Sequence, residues 1–165
     1  MINKLFKTGN DIAPTILRIV LGFVLLGHGA QKLLGLFGGY GFDGTMHYFT
    51  DTVGLPWIIG FLVIVIEFFG SISLILGFAT RVWAASMAIM LTGVVATVHW
   101  KNGFFMNWFG DQAGEGFEYF LLAAGMAVSL VISGAGRFSI DGYIGKAKES
   151  RTSGRQSFTE ALAID

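Results

Sequence analysis

The 165 residues contain no cysteine. Disulfides, thiolate nucleophiles, iron–sulfur ligation and thiolate zinc sites are therefore excluded for this chain. Cysteine also gives no clue to redox compartment. Charge is scarce: Asp, Glu, Lys and Arg make up 13% of the residues, against roughly 25% in soluble domains. A solvated surface cannot be built from so few charged groups. Formal net charge is zero, so no overall field attracts nucleic acid. No Gly-rich phosphate loop of Walker or Rossmann type is present. What is abundant is apolar: 53% of residues are hydrophobic.

That apolar content is organised into four runs. They are PTILRIVLGFVLLGHGAQKLL (Pro14–Leu34), PWIIGFLVIVIEFFGSISLILGF (Pro56–Phe78), VWAASMAIMLTGVVATV (Val82–Val98) and EYFLLAAGMAVSLVISGAG (Glu118–Gly136). A membrane-spanning helix needs about 17–25 residues, and each run lies in or at the edge of that window. Pro14 and Pro56 suit the first turn of a helix, where a missing N–H costs nothing. In lipid the backbone must satisfy its own hydrogen bonds, so the runs are predicted to be helices. The expected fold is an all-α integral membrane protein, a four-transmembrane-helix bundle.

Lys and Arg predict its orientation. Lys4, Lys7, Arg18, Arg81, Arg137, Lys146, Lys148, Arg151 and Arg155 fall on one side, and only Lys32 and Lys101 on the other. Both termini are therefore expected in the cytoplasm, with the first and third loops outside. The first run carries Arg18 and His28 and no small-residue cleavage site, so it reads as an uncleaved signal anchor. The short link GFATR predicts an antiparallel hairpin of the second and third helices. In the first loop, Thr45 is expected to N-cap a short interfacial helix over MHYFTDTV. The third loop, rich in Trp and Phe, reads as an aromatic belt, with a cover over an outward-facing site as the alternative.

Several polar residues interrupt the runs. Glu67, in VIVIEFFGS, is the sole ionisable residue between Leu55 and Ala79. At about 1.5 Å per residue it lies roughly 13 Å from the inner end of the second helix. Arg18 lies roughly 7 Å from the inner end of the first, and its long side chain makes it the expected partner of Glu67. Helical phase puts Gly60, Glu67, Gly70 and Ser71 on one stripe, and Arg18, Gly22, Leu25, Gly29 and Lys32 on another. Small residues let membrane helices approach closely. Ala84/Ala88, Gly93/Thr97, Ala123/Ala127 and Gly125/Ser129 are expected to pack the third and fourth helices in the same way. A second polar cluster is expected near the outer end: His28 and Lys32 at i, i+4, His99, Glu115 and Glu118. Ionisable groups within a membrane are candidate functional sites, while a purely structural bridge is the competing reading. Bis-histidine haem would need two His at matched depth, which His28 and His99 do not offer. No HxxxH or HExxH spacing supports a metal.

Five segments in this order resemble the DoxX family of small bacterial membrane proteins: LRIVLGFVLLGHGAQKLLGLFGG, IEFFGSISLILGFATRVWA, HWKNGFF, GEGFEYFLLA and GAGRFSIDGYI. The resemblance covers about residues 12 to 144. It implies a four-helix protein of the bacterial cytoplasmic (inner) membrane, described as an oxidoreductase and linked to quinone. It divides the chain into an N-terminal cytoplasmic segment (1–12), the membrane domain (13–136) and a cytoplasmic tail (137–165). Positions matching the family's recurrent polar residues are Arg18, His28, Gly29, Lys32, Glu67, Arg81, His99 and Glu118.

Three functions compete. The first is a quinone-linked oxidoreductase or redox-complex subunit, in which Glu67, His28 and Lys32 donate or relay protons and a partner protein supplies electrons. The second is a non-catalytic assembly subunit, in which the polar stripe only specifies packing. The third is a small proton-coupled transporter, which would need oligomerisation to widen its pore, and no inverted repeat or broken helix pair supports it. The partners these readings allow are the lipid bilayer, a redox protein and further copies of the chain.

Overall fold

The computed structural model describes residues 8–147, and among these there are helices and no strands. Helix α1 runs Ile12–Leu34, starting two residues before the expected Pro14. It stops at Gly35, which is left-handed at φ 70° and donates its N–H back to Ala30. Helix α2 is Gly41–His47 and continues as a wider π turn over Tyr48–Thr52. Here the expectation for the first loop needs correcting. The helix begins four residues before Thr45, which is buried inside it and caps nothing. The glycine-rich turn before it reverses the chain early enough for helix to start at Gly41.

Helix α3 spans Trp57–Leu76 and α4 spans Thr80–Asn102. Gly77 (φ 68°) and Ala79 (φ 48°) make the tight turn between them. Helix α5, Glu118–Ser133, is shorter than its apolar run. Gly134 and Gly136, both with positive φ, take the chain out of the helix. Residues 134–136 then turn beneath α1, and 140–147 form a last helix, α6. The packed bundle thus extends past Gly136.

Going round the bundle, α1 packs on α3, α3 on α4, α4 on α5, and α5 on α1. Leu21, Leu25, Leu74, Met87, Leu91 and Leu130 fill the centre with Ala84, Ala123 and Ala127. The outside is just as apolar. Phe23 on α1, Ile89 on α4 and Leu122 on α5 are each at least 70% exposed. In water such a surface would aggregate; in a bilayer it is the lipid-facing side. The three long helices α1, α3 and α4 are each long and apolar enough to cross a membrane, and α5 is a shorter apolar helix.

The expected glycine stripe is where α1 meets α3. A Cβ on Gly22 would lie 2.9 Å from the Ser71 carbonyl oxygen. One on Gly29 would lie 2.7 Å from both the Glu67 carbonyl carbon and the Phe68 nitrogen. The two backbones touch, and no side chain fits between them. Ala84, Ala123 and Ala127 are likewise buried. Gly93/Thr97 and Gly125/Ser129 are not: all four face outward. The Thr97 and Ser129 hydroxyls donate to the carbonyls of Gly93 and Gly125, four residues back. Satisfied within their own helices, they need no neighbouring helix.

Gly29→Ala should lower stability by about 1–3 kcal/mol through overpacking. Gly27→Ala, where an added Cβ meets nothing within 4 Å, should change little. Thermal unfolding of both variants in one detergent tests this; equal melting temperatures would show that the backbone contact does not limit stability.

Candidate functional site

The bundle has two polar centres, one at each end. At the end that holds the α3–α4 turn, Arg18 is 1% exposed. Among the described residues it donates to backbone carbonyls: Nε to Ala135 (3.0 Å), Nη1 to Leu74 (3.1 Å) and Ile75, Nη2 to Phe138 (2.6 Å) and Arg137 (3.3 Å). Leu74 and Ile75 belong to the last turn of α3, whose carbonyls lack helical partners and carry the negative end of the dipole. A planar fork of five donors suits this task. Arg81 does the same for the end of α5, donating to Val131 and Ile132.

Asp141, which sequence reasoning missed, completes this end. It is 1% exposed, and its carboxylate accepts from Ala79 N (2.7 Å) and Thr80 N (2.9 Å). It therefore caps the start of α4 from a distant part of the chain, where an anion is stabilised. Its position in SIDG, just beyond the last apolar run, was the available signal.

The expected Arg18–Glu67 pair does not form. Glu67 is level with Gly29, about eleven residues or roughly 16 Å along α1 from Arg18, so no arginine side chain spans the gap. Its partner is Lys32, with Nζ to Oε2 at 2.6 Å. The Glu67 side chain is 8% exposed and that of Lys32 25%. Both residues were on the predicted stripes, but the register that brings them together was not legible.

This ion pair lies in the wall of a cavity of about 540 Å³ at the other end of the bundle. His28, Lys32, Glu67 and His99 all line it, with Glu115 and Tyr119. Five of the eight predicted polar positions therefore meet in one space. Arg18 and Arg81 belong to the opposite end. Glu118 is the remaining one: its Oε1 accepts from Met106 N (3.0 Å) and Trp108 Nε1 (3.3 Å), holding the third loop. Glu115 Oε2 fastens that loop again at Asn107 N. Tyr48 and Phe49 from the first loop and Met106 from the third also line the cavity, so both loops help enclose it.

His99 Nδ1 lies 2.7 Å from the Glu115 carbonyl oxygen. A carbonyl can only accept, so Nδ1 carries a proton there, and a neutral ring leaves Nε2 as an acceptor. The ring packs on Phe120 at 4.2 Å. His28 faces Tyr119 at 6.3 Å between ring centroids. The Tyr119 hydroxyl is buried with no hydrogen-bond partner among the described residues. A buried donor without a partner is costly.

Backbone irregularity coincides with the site. Glu67 sits in a π turn, Ile66–Gly70, and His99 in another, Val95–His99. The π turn Tyr48–Thr52 places Tyr48 and Phe49 in the wall. Such turns shift side-chain phase and occur often at functional sites. The cavity is within the usual size range for ligand sites, mostly apolar with a few convergent polar groups.

Two comparisons bear on this arrangement. A family model described as DoxX matches residues 13–100. The protein named "Putative oxidoreductase CatD" from Bacillus subtilis (strain 168) is 28% identical over 148 residues, covering 90% of this chain and 96% of that one. No solved structure matches.

Breaking the pair should reveal it thermodynamically. Lys32→Met or Glu67→Gln alone should cost about 3 kcal/mol, the typical penalty for stranding one partner of a buried ion pair, and the double variant should cost less than the sum. Arg18→Met combined with Glu67→Gln should instead be additive. Additive Lys32 and Glu67 effects in denaturant titrations would show that the ion pair contributes no coupling.

Proposed function

This chain belongs to the DoxX family, and from that membership and the cavity's chemistry we propose a quinone-linked membrane oxidoreductase or a subunit of one. The observation that carries the reading is the Lys32–Glu67 pair in the wall of a largely apolar cavity. Aromatic and aliphatic walls suit a planar ring. Quinone carbonyls accept hydrogen bonds, and Lys32 and His28 are donors that line that space. The relative's name says oxidoreductase, which agrees in reaction class.

Reducing a quinone to a quinol takes two electrons and two protons. Lys32 and His28 are suited to hand one proton each to the two ring oxygens, and both are reprotonated from water, Lys32 with the Glu67 carboxylate as relay. His99, anchored through Nδ1, orients towards the same space. With no cysteine, the chain has no thiol couple of its own, and the electrons come from a redox partner protein. Arg18, Arg81 and Glu118 are positioning residues in this scheme: they hold helix ends and a loop and do not touch the substrate.

In the bilayer α1, α3, α4 and the shorter α5 cross, with both termini in the cytoplasm and the cavity near the outer face of the cytoplasmic membrane. Helix α5 has 16 residues, roughly 24 Å. It is shorter than the roughly 30 Å hydrocarbon layer, so local thinning accommodates it. A phosphatase reporter fused after Asp111 should be active outside the cytoplasm, and the same reporter fused after Ala147 inactive. The reverse pattern would overturn the orientation.

Binding provides the chemical test. Purified protein in nanodiscs should bind a tailless quinone analogue, and Glu67→Gln should weaken binding about tenfold, as loss of a charge-assisted contact implies. If wild type does not bind the analogue at millimolar concentration, the quinone reading fails.

A further inference from the structure

A second depression, about 350 Å³, lies between α3 and α4. Leu55, Val63, Val94 and Thr97 line both it and the cavity. The two spaces are back to back across one thin wall. The outer lip carries Ile59, Leu62 and Ile89, at 44%, 42% and 75% exposure, all on spanning helices. This groove therefore opens towards lipid hydrocarbon rather than towards water.

Gly93 keeps it open. A Cβ there would meet nothing within 4 Å, so the backbone of α4 borders free space where other positions carry side chains. The groove's two hydroxyls, Ser86 and Thr97, are already satisfied by the carbonyls of Val82 and Gly93. It offers apolar contact and no unmet polar group. The cavity behind it adds what the groove lacks: an ion pair and two imidazoles. A cavity with convergent polar groups that shares a wall of four side chains with an apolar trough matches an amphipathic molecule with a small polar head and a long hydrocarbon tail.

We propose that the substrate is a long-tailed membrane lipid that reaches the cavity sideways through the α3–α4 seam, with its tail in the Gly93 groove. This rests on the reading of the cavity as the site of a quinone ring and adds the tail, its location and its route. Gly93 is then a specificity-determining residue. It selects for tailed substrates dissolved in the membrane and admits them from the lipid side, so the loops over the cavity need not open to water.

The test uses the full chain in nanodiscs and two photoreactive azidoquinones, one tailless and one with a decyl tail, with labelled peptides identified by mass spectrometry. Gly93→Phe fills the groove. Gly125→Phe adds the same bulk at another lipid-facing position where a Cβ meets nothing within 4 Å, and controls for folding. Wild type should be labelled by both probes at the cavity. Gly93→Phe should lose about tenfold in labelling by the tailed probe, from lost burial of several methylenes, while tailless labelling stays at the wild-type level. Gly125→Phe should change neither. Equal loss of both probes, or of neither, in Gly93→Phe overturns the tail site. Dissociation of a wild-type dimer by Gly93→Phe in native mass spectrometry overturns it too, because a second copy would then cover the groove. Absence of cavity labelling by the tailless probe in wild type instead overturns the quinone reading itself.

Discussion

The backbones of α1 and α3 touch at Gly22 and Gly29, and this contact sets where the buried charges come to rest. Two antiparallel helices can slide along one another by whole turns with little change in apolar burial. Direct backbone contact at two glycines removes that freedom. Once Gly29 lies against Glu67 and Gly22 against Ser71 and Ile75, Arg18 is level with the carbonyl end of α3. Lys32, one helical turn beyond Gly29, is then within reach of the Glu67 carboxylate. In a membrane, where a stranded ion is expensive, helix register and charge pairing support each other.

The two ends of the bundle use their charges differently. At one end Arg18, Arg81 and Asp141 are spent on helix termini: guanidinium groups on exposed carbonyls, a carboxylate on exposed N–H groups. Each follows the sign of the helix dipole it meets. These groups bond to backbone, and none of them lines the cavity at the other end. At the other end Lys32, Glu67, His28 and Tyr119 line open space. Polar groups committed to helix ends stabilise a fold; polar groups that converge on a cavity are where chemistry can be done. The π turns that carry Glu67 and His99 fit this division, because irregular helix is absent from the clamped end of α1 and present where side chains converge.

Apolar patterning was enough to place the long helices and the inward stripes of α1 and α3. A charge-poor chain with four such runs has few other ways to satisfy its backbone. Glycine spacing and helical phase also identified which faces of α1 and α3 meet, and which polar residues lie on them. Phase was less reliable on α4 and α5. Gly93/Thr97 and Gly125/Ser129 have the spacing of packing motifs but face outward, since a hydroxyl that bonds to its own helix four residues back has no need of a neighbour.

What the sequence could not decide was register and long-range capping. The composition of the stripes is the same whether Glu67 meets Arg18 or Lys32; only the three-dimensional contact at Gly29 separates the partners, by roughly 16 Å of helix. Asp141 capping α4, or the turn after α5 delivering three carbonyls to Arg18, depends on residues more than sixty and a hundred positions apart. A local pattern carries no information about such pairs. The tertiary structure decided them because burying an ion in an apolar bundle is tolerable only where complementary groups converge, and convergence is a property of the packed helices.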